Sequence, residues 1–113
     1  MTTVIFSIAD DFSPFPGPRF KEQGPDSGEK LSRILARKLR ETHAKFRILM
    51  DGTTGIGSSF IDQAFGGLVS DHGFNARELE GRLIFVSEVD PSYVTLAIDS
   101  IRKAGQQRVA AAC

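Results

Sequence analysis

The stretch FRILMDGTTGIGSSFIDQAFGGL, residues 46–68, contains the passage from a strand to a helix on which the fold prediction depends. The apolar run at 46–50 is bounded by charged residues and is typical of a buried strand. A glycine-rich loop begins at Asp51, and two serines follow it. A helix is predicted over 59–72, because apolar residues recur there at the spacing of one buried stripe and Gly73 supplies a C-cap.

Further strands and helices alternate along the chain on both sides of this stretch. Two other segments, 3–9 and 83–87, have the β-branched and aromatic composition of strands. A short strand is also predicted over 19–23, after a proline-rich turn, where it forms a loose hairpin with the first strand. Two further helices are predicted to begin at Asp26 or Ser27 and at the Asp90-Pro91 pair, and a single helical turn capped by Asn75 is predicted over 75–80. This order predicts a single α/β domain, with a mixed sheet of about four strands packed with about three helices.

Length and composition limit the function classes. The 113 residues predict one domain over 1–105, with a frayed tail over 106–113. Fourteen basic and fourteen acidic residues cancel, which gives no electrostatic case for nucleic acid or an anionic membrane. The single cysteine, Cys113, allows neither an intramolecular disulfide nor a cysteine metal cluster. With no signal peptide or membrane span in the sequence, we expect a cytoplasmic protein.

The loop between strand and helix is the main candidate site. Asp51, Gly55 and Gly57 are predicted to shape it, and a helix N-terminus beside it favours a negative charge. Ser59 and Asp62 have the spacing of an N-cap and a first-turn acid, so capping explains Ser59. Ser58 is predicted to point outward. The loop is not a nucleotide-binding P-loop, because the GxxxxGK[ST] pattern is absent.

Two adjacent glycines within a predicted helix need a reason, because each costs about 1 kcal/mol relative to alanine. Regular helical geometry places Gly66 and Gly67 at the edges and outer side of the buried stripe, near Gln63. A bare backbone there allows close approach. The approaching group is either a neighbouring element of this chain or a partner that docks on a face formed by Gln63, Gly66 and Gly67.

The segments RF, GPDSGEKL, ILMDGTTGIGSSFIDQAFGGL and RLIFVSEVD together resemble a bacterial STAS-like family of unknown function. The densest similarity is GSSFxDxAFGGL at 57–68. The family is similar to the STAS domains of anti-sigma factor antagonists. In those proteins, a kinase with the histidine-kinase ATPase fold phosphorylates the first serine of a D-S-S-G loop, and phosphorylation breaks the complex.

The resemblance implies that Ser58 is the phosphoacceptor or a partner contact, with Ser59 beside it. Gly57 stands where the antagonists have aspartate, and Phe60 where they have glycine. The resemblance also implies a histidine-kinase-type ATPase as partner. Whether the chain forms a homodimer is left open by the sequence. The expected function is a non-enzymatic regulatory interaction domain without cofactor or metal, acting as a phosphorylated partner switch.

Two other readings of the sequence stay open. One is a constitutive assembly module that is never phosphorylated. The other is a small enzyme or metal-binding protein that uses Ser58, His72 and Asp51, or a cation site formed by Asp10, Asp11 and Asp51. The sequence contains neither the GxSxG motif of serine hydrolases nor a paired-histidine metal motif, so no motif supports an enzyme or a metal site.

Overall fold

The structure, a computed structural model, describes the backbone of residues 2–112 and the side chains of residues 2–109. Cys113, noted above for its chemistry, lies outside the described residues. No helix in the described part of the chain has the length and apolar character that crossing a bilayer requires.

The sheet is parallel throughout and has three strands, in the order in which they occur along the chain: β1 (Thr3–Ser7), β2 (Lys45–Leu49) and β3 (Leu83–Val86). The α/β class is therefore confirmed, but the predicted mixed sheet of four strands is wrong. Residues 19–23 do not form a strand, because the chain there makes a short 3-10 turn, Lys21–Gln23, against the start of the first helix. Strand β1 pairs with β2 instead of forming a hairpin.

Five α-helices occur among the described residues, more than the three predicted: α1 (Gly28–Glu41), α2 (Ser58–Ile61), α3 (Gly67–Ser70), α4 (Ala76–Arg82) and α5 (Ser92–Ala112). A π-helical segment, Asp62–Gly66, joins α2 to α3 without a break. We call this continuous helix, residues 58–70, the serine helix.

Local capping explains several of the helix starts. The Ser27 hydroxyl accepts the Lys30 N–H at 3.1 Å, so Ser27 and not Asp26 is the N-cap of α1. The Asn75 side chain caps α4 in the same way. Helix α5 begins just after Asp90, as predicted, and it continues to Ala112, through most of the segment predicted to be a frayed tail.

All the large helices pack on one face of the sheet, and the serine helix is central among them. It contacts α1 on one side and α5 on the other. Phe65 in its middle is fully buried and packs edge-on against Phe85 of β3, with ring centroids 4.8 Å apart. The side chains of Ile5, Arg47 and Ile84 lie on the opposite face of the sheet and are exposed.

Candidate functional site

The candidate site lies at the carboxyl edge of the sheet, where the three strands end. Strand β1 runs into a π-helical turn, Ile8–Phe12, while β2 runs into the loop at 51–57 and β3 into the loop at 87–91. Ligands of open α/β sheets bind outside this edge. The serine helix starts here, directly after the loop that follows β2.

Asp51 joins two of these loops. One carboxylate oxygen accepts the Ser87 hydroxyl at 2.7 Å and the Val89 N–H at 3.2 Å, and the other accepts the Glu88 N–H at 2.7 Å. Hydrogen bonds to the charged form stabilise it. The Glu88 N–H, followed by the Ser87 hydroxyl, therefore holds the pKa of Asp51 below its ordinary value, against a smaller opposing effect of desolvation.

Replacing Asp51 by asparagine is expected to destabilise the protein at neutral pH but not in acid. Because the pKa of Asp51 is lower in the folded state than in the unfolded state, its contribution is present above the unfolded value of about 4. The contribution is lost as the pH falls through the lower folded value. Urea unfolding of both proteins between pH 7 and pH 2.5 checks this.

The matched control for Asp51 is Asp10→Asn, because the Asp10 carboxylate accepts no hydrogen bond from the described residues. Because no hydrogen bond is lost, we expect Asp10→Asn to lower the stability at pH 7 less than Asp51→Asn does. A stability difference for Asp51→Asn that stays constant from pH 7 to pH 2.5 would contradict the assignment.

The middle of the loop is fixed by two contacts from distant parts of the chain. The Thr54 N–H donates to the Pro14 carbonyl at 2.9 Å, and the Ile56 N–H donates to the Tyr93 hydroxyl at 3.2 Å. Ile56 is buried, and Gly55 has a φ of +139°, a conformation that favours glycine. The loop is thus held before any partner binds.

Both serines are exposed on the first turn of the serine helix. The N-cap is Gly57, whose carbonyl accepts the Ile61 N–H at 3.1 Å, so the prediction of Ser59 as N-cap is wrong. Neither the Ser58 nor the Ser59 hydroxyl has a hydrogen-bond partner among the described residues. Phe60, the next residue, is buried and packs against Phe12.

Asp62 was predicted as the first-turn acid after a Ser59 cap, but it lies five residues after the Gly57 N-cap, and its carboxylate pairs with a residue from another segment. Arg19, from the segment before α1, donates to it at 2.6 Å, and the two side chains are 32% and 40% exposed. The ion pair attaches the segment at 17–19 to the serine helix. Sequence reasoning missed Arg19, although it belongs to the RF segment that carries the family resemblance.

The prediction of a docking face formed by Gln63, Gly66 and Gly67 is wrong, because all three residues are buried. A Cβ atom on Gly66 would lie 3.1 Å from the Ser100 carbonyl oxygen of α5. One on Gly67 would lie 3.0 Å from the Ser32 hydroxyl of α1. The glycines let the neighbouring helices of this chain approach, at the floor of a groove of about 170 Å³.

The structure separates the residues of the alternative enzyme site. Ser58 begins the serine helix and His72 follows its far end. At a helical rise of about 1.5 Å per residue, the two residues lie about 20 Å apart. Asp51 is engaged by the loop at 87–89. Within residues 2–112, no three histidine, cysteine or acidic side chains are grouped to hold a metal ion, and the cation site of Asp10, Asp11 and Asp51 is not formed.

Comparison with known protein families agrees with this architecture. The family model described as a STAS-like domain of unknown function (DUF4325) matches residues 27–93, more than half of the chain. The chain belongs to this STAS-like family. No curated protein and no solved structure gives a significant match.

The matched part of the STAS-like domain runs from the Ser27 cap to the start of α5. It therefore includes the glycine-rich loop, the serine helix and the third strand. Tyr93, at the end of the match, is the single tyrosine of the chain and the residue that binds the loop at Ile56. That the chain has one tyrosine can be read from the sequence. Its hydrogen bond to Ile56 cannot, because the two residues are 37 positions apart and no local pattern links them.

Proposed function

We propose that this STAS-like domain is a non-enzymatic regulatory protein-interaction domain, with the exposed serine turn as its partner contact. The observation that carries the proposal is that Ser58 and Ser59 are exposed side by side, with unused hydroxyls, on a turn that the fold holds in place. A residue that only caps a helix uses its hydroxyl for that purpose. These two do not.

The held loop supports recognition by a protein partner. Contacts from Pro14, Tyr93 and the loop at 87–89 fix the backbone on the way to Ser58. A site that is ordered before binding loses less conformational entropy in the complex. Gly57 also has open space around its Cβ position and an ordinary φ of −73°, so a partner backbone has room beside it.

Phosphorylation of Ser58 is the proposed switch, and the proposed partner is an ATPase of the histidine-kinase type in the cytoplasm. A phosphate adds about −1.5 to −2 charges. The first turn of a helix accommodates that charge, and the nearby Asp62 is already paired with Arg19. The domain itself therefore tolerates the phosphate, and the repulsion falls on an acidic or closely fitted partner surface.

The test begins with a tagged full chain purified from its native host, followed by intact mass measurement and phosphosite mapping. We expect one phosphate on Ser58, and a co-purified ATPase whose affinity falls at least tenfold for the phosphorylated chain, about 1.4 kcal/mol. Ser58→Ala is expected to bind without switching, and Ser58→Asp to bind weakly. Ser92→Ala is the control, because Ser92 is an exposed serine at the start of another helix.

The proposal fails if Ser58→Ala and Ser59→Ala bind the partner and respond to ATP as the wild type does. An unmodified chain in a stable complex would instead indicate a constitutive assembly module. In that case Ser58→Asp would still weaken the complex if the serine turn were the contact, and this variant separates the contact from the switch.

A further inference from the structure

The sheet face opposite the helices carries an uncovered apolar strip. Ile5 on β1 pairs in register with Arg47 on β2, which pairs with Ile84 on β3. Ile5 is 62% exposed and Ile84 is 40% exposed, and Arg47 between them is also exposed. Two isoleucines therefore flank one cation across the full width of the sheet.

The topology explains why this face is open. Connections between parallel strands are right-handed, and the strand order here follows the chain order without reversal. Successive crossovers therefore place their helices on the same face. Parallel sheets are ordinarily covered on both faces, so this arrangement leaves an apolar surface that is typical of a binding site.

The charged side chains on the open face, Lys45 and Arg47, are both basic. Alternation along the strands brings eight side chains to it: Thr3, Ile5, Ser7, Lys45, Arg47, Leu49, Ile84 and Val86. None of them is acidic. Neither Lys45 nor Arg47 forms an ion pair with a carboxylate in the described part of the chain.

We infer that this face binds one amphipathic helix of a partner protein, with a carboxylate at Arg47 between apolar residues that contact Ile5 and Ile84. Adjacent strands lie about 4.8 Å apart, so the two isoleucines are separated by about 10 Å. A helix with its side chains is about 10–12 Å wide. One helix is therefore wide enough to contact both isoleucines at once, with Arg47 beneath its axis.

A second copy of the chain is a poorer occupant of this face. Arg47 lies on the central strand, so face-to-face packing about a twofold axis brings one Arg47 close to the other. Like charges that face each other in a desolvated interface cost several kcal/mol. The acidic helix instead supplies the missing counter-charge. This surface is separate from the serine turn, and the inference does not depend on the proposed function.

The test places a photo-crosslinking amino acid at Ile84 in the full chain within its native host. The matched control carries the same group at Leu96 of α5, which is 38% exposed against 40% for Ile84. We expect Ile84, and not Leu96, to crosslink to a peptide with apolar residues at helical spacing and a glutamate or aspartate among them. Mass spectrometry of the crosslinked peptide identifies that sequence.

A synthetic copy of the captured peptide then tests the charge pairing. Arg47→Glu is expected to weaken its binding at least tenfold, and replacement of its acidic residue by lysine is expected to restore binding to that variant. Arg47→Gln provides a milder variant if Arg47→Glu unfolds. Ser58→Ala is expected to leave peptide binding unchanged, so failure here is distinguishable from failure of the serine switch.

Several results would overturn the inference. One is crosslinking from position 84 to a second copy of the chain. Another is capture of the same peptide to the same extent from position 96. A third is a captured peptide that lacks apolar residues at helical spacing with an acidic residue among them. Capture of no protein at Ile84, or binding that ignores the charge of Arg47, would also do so.

Discussion

Replacing Arg82 by methionine is expected to lower the free energy of unfolding by about 2–4 kcal/mol. Its guanidinium makes four hydrogen bonds to backbone carbonyls: to Leu39 at 3.1 Å, to Thr42 at 2.8 Å, and to Ala44 at 2.9 and 3.2 Å. These carbonyls lie at the end of α1 and in the turn into β2. Arg82 therefore connects the end of α4 to the passage between α1 and the central strand.

The physical reason is the unsatisfied backbone that methionine would leave. Carbonyls at a helix C-terminus have no partner within the helix, and a cation there also favours the helix dipole. Methionine retains much of the aliphatic contact of arginine but donates no hydrogen bond. The loss is therefore expected to come from the carbonyls and not from lost packing.

Urea unfolding at 25 °C measures this loss, with Arg102→Met as the control. Arg102 also makes a short contact, 2.6 Å to Glu80, but its side chain is 60% exposed. Exposed ion pairs contribute about 0–1 kcal/mol. Equal losses for the two variants would mean that the carbonyl contacts of Arg82 contribute no more than an exposed ion pair.

Gly28→Ala is expected to destabilise the protein by about 1–3 kcal/mol, although it adds one methyl group to a helix. A Cβ atom at this position would lie 2.6 Å from the Phe60 carbonyl oxygen and 3.1 Å from the Cβ of Gln63. Both belong to the serine helix, and the first is a backbone atom. The methyl can be accommodated only if α1 and the serine helix separate, which also displaces the serine turn.

Gly81→Ala is the matched control, because it adds the same methyl group to another helix. Nothing lies within 4 Å of the Cβ position of Gly81, and its backbone is helical. Alanine there is expected to stabilise the protein by about 0.5–1 kcal/mol. Thermal unfolding should therefore shift in opposite directions for the two variants. A stabilised Gly28→Ala protein would show that the helices yield at little cost.

The sequence predicted those parts of the fold that depend on local rules. The strands near 3–9, 46–50 and 83–87, the cap at Asn75 and the helix start at Asp90 are all present within a residue or two. Each depends on alternation, composition or capping within a few positions. The family resemblance, carried by the segment around the glycine-rich loop, is confirmed by the family model over residues 27–93.

The errors occurred where a distant residue decides the local structure. The spacing of Ser59 and Asp62 indicated a cap and a first-turn acid, but the helix is capped at Gly57, and Asp62 pairs with Arg19, 43 positions away. No pattern in the tail indicated that the guanidinium of Arg108 lies 3.5 Å from the Val69 carbonyl and 3.4 Å from the Phe74 carbonyl. No pattern within one segment contains these pairings.

The two glycines of the serine helix also have contacts with distant residues that no local pattern reveals. Helical geometry placed Gly66 and Gly67 at the edges and outer side of the buried stripe, where a regular surface helix is open, but both residues are buried. In this fold the helix is central, so α1 and α5 cover both edges. The sequence showed that something approaches closely. It could not show that the approaching groups are Ser32 and Ser100 of the same chain.

The parallel sheet also determines how this chain acquires its fold. Thr3 pairs with Lys45, and Phe46 pairs with Leu83, so each pairing joins residues about 40 positions apart. Loops of that length must close before any ladder bond forms, which makes such sheets slow to assemble. During synthesis, β1 emerges first and stays without a partner until all of α1 and β2 have been made. The nascent chain therefore exposes Phe6, which is buried in the folded protein, for that whole interval, which is when aggregation competes with folding.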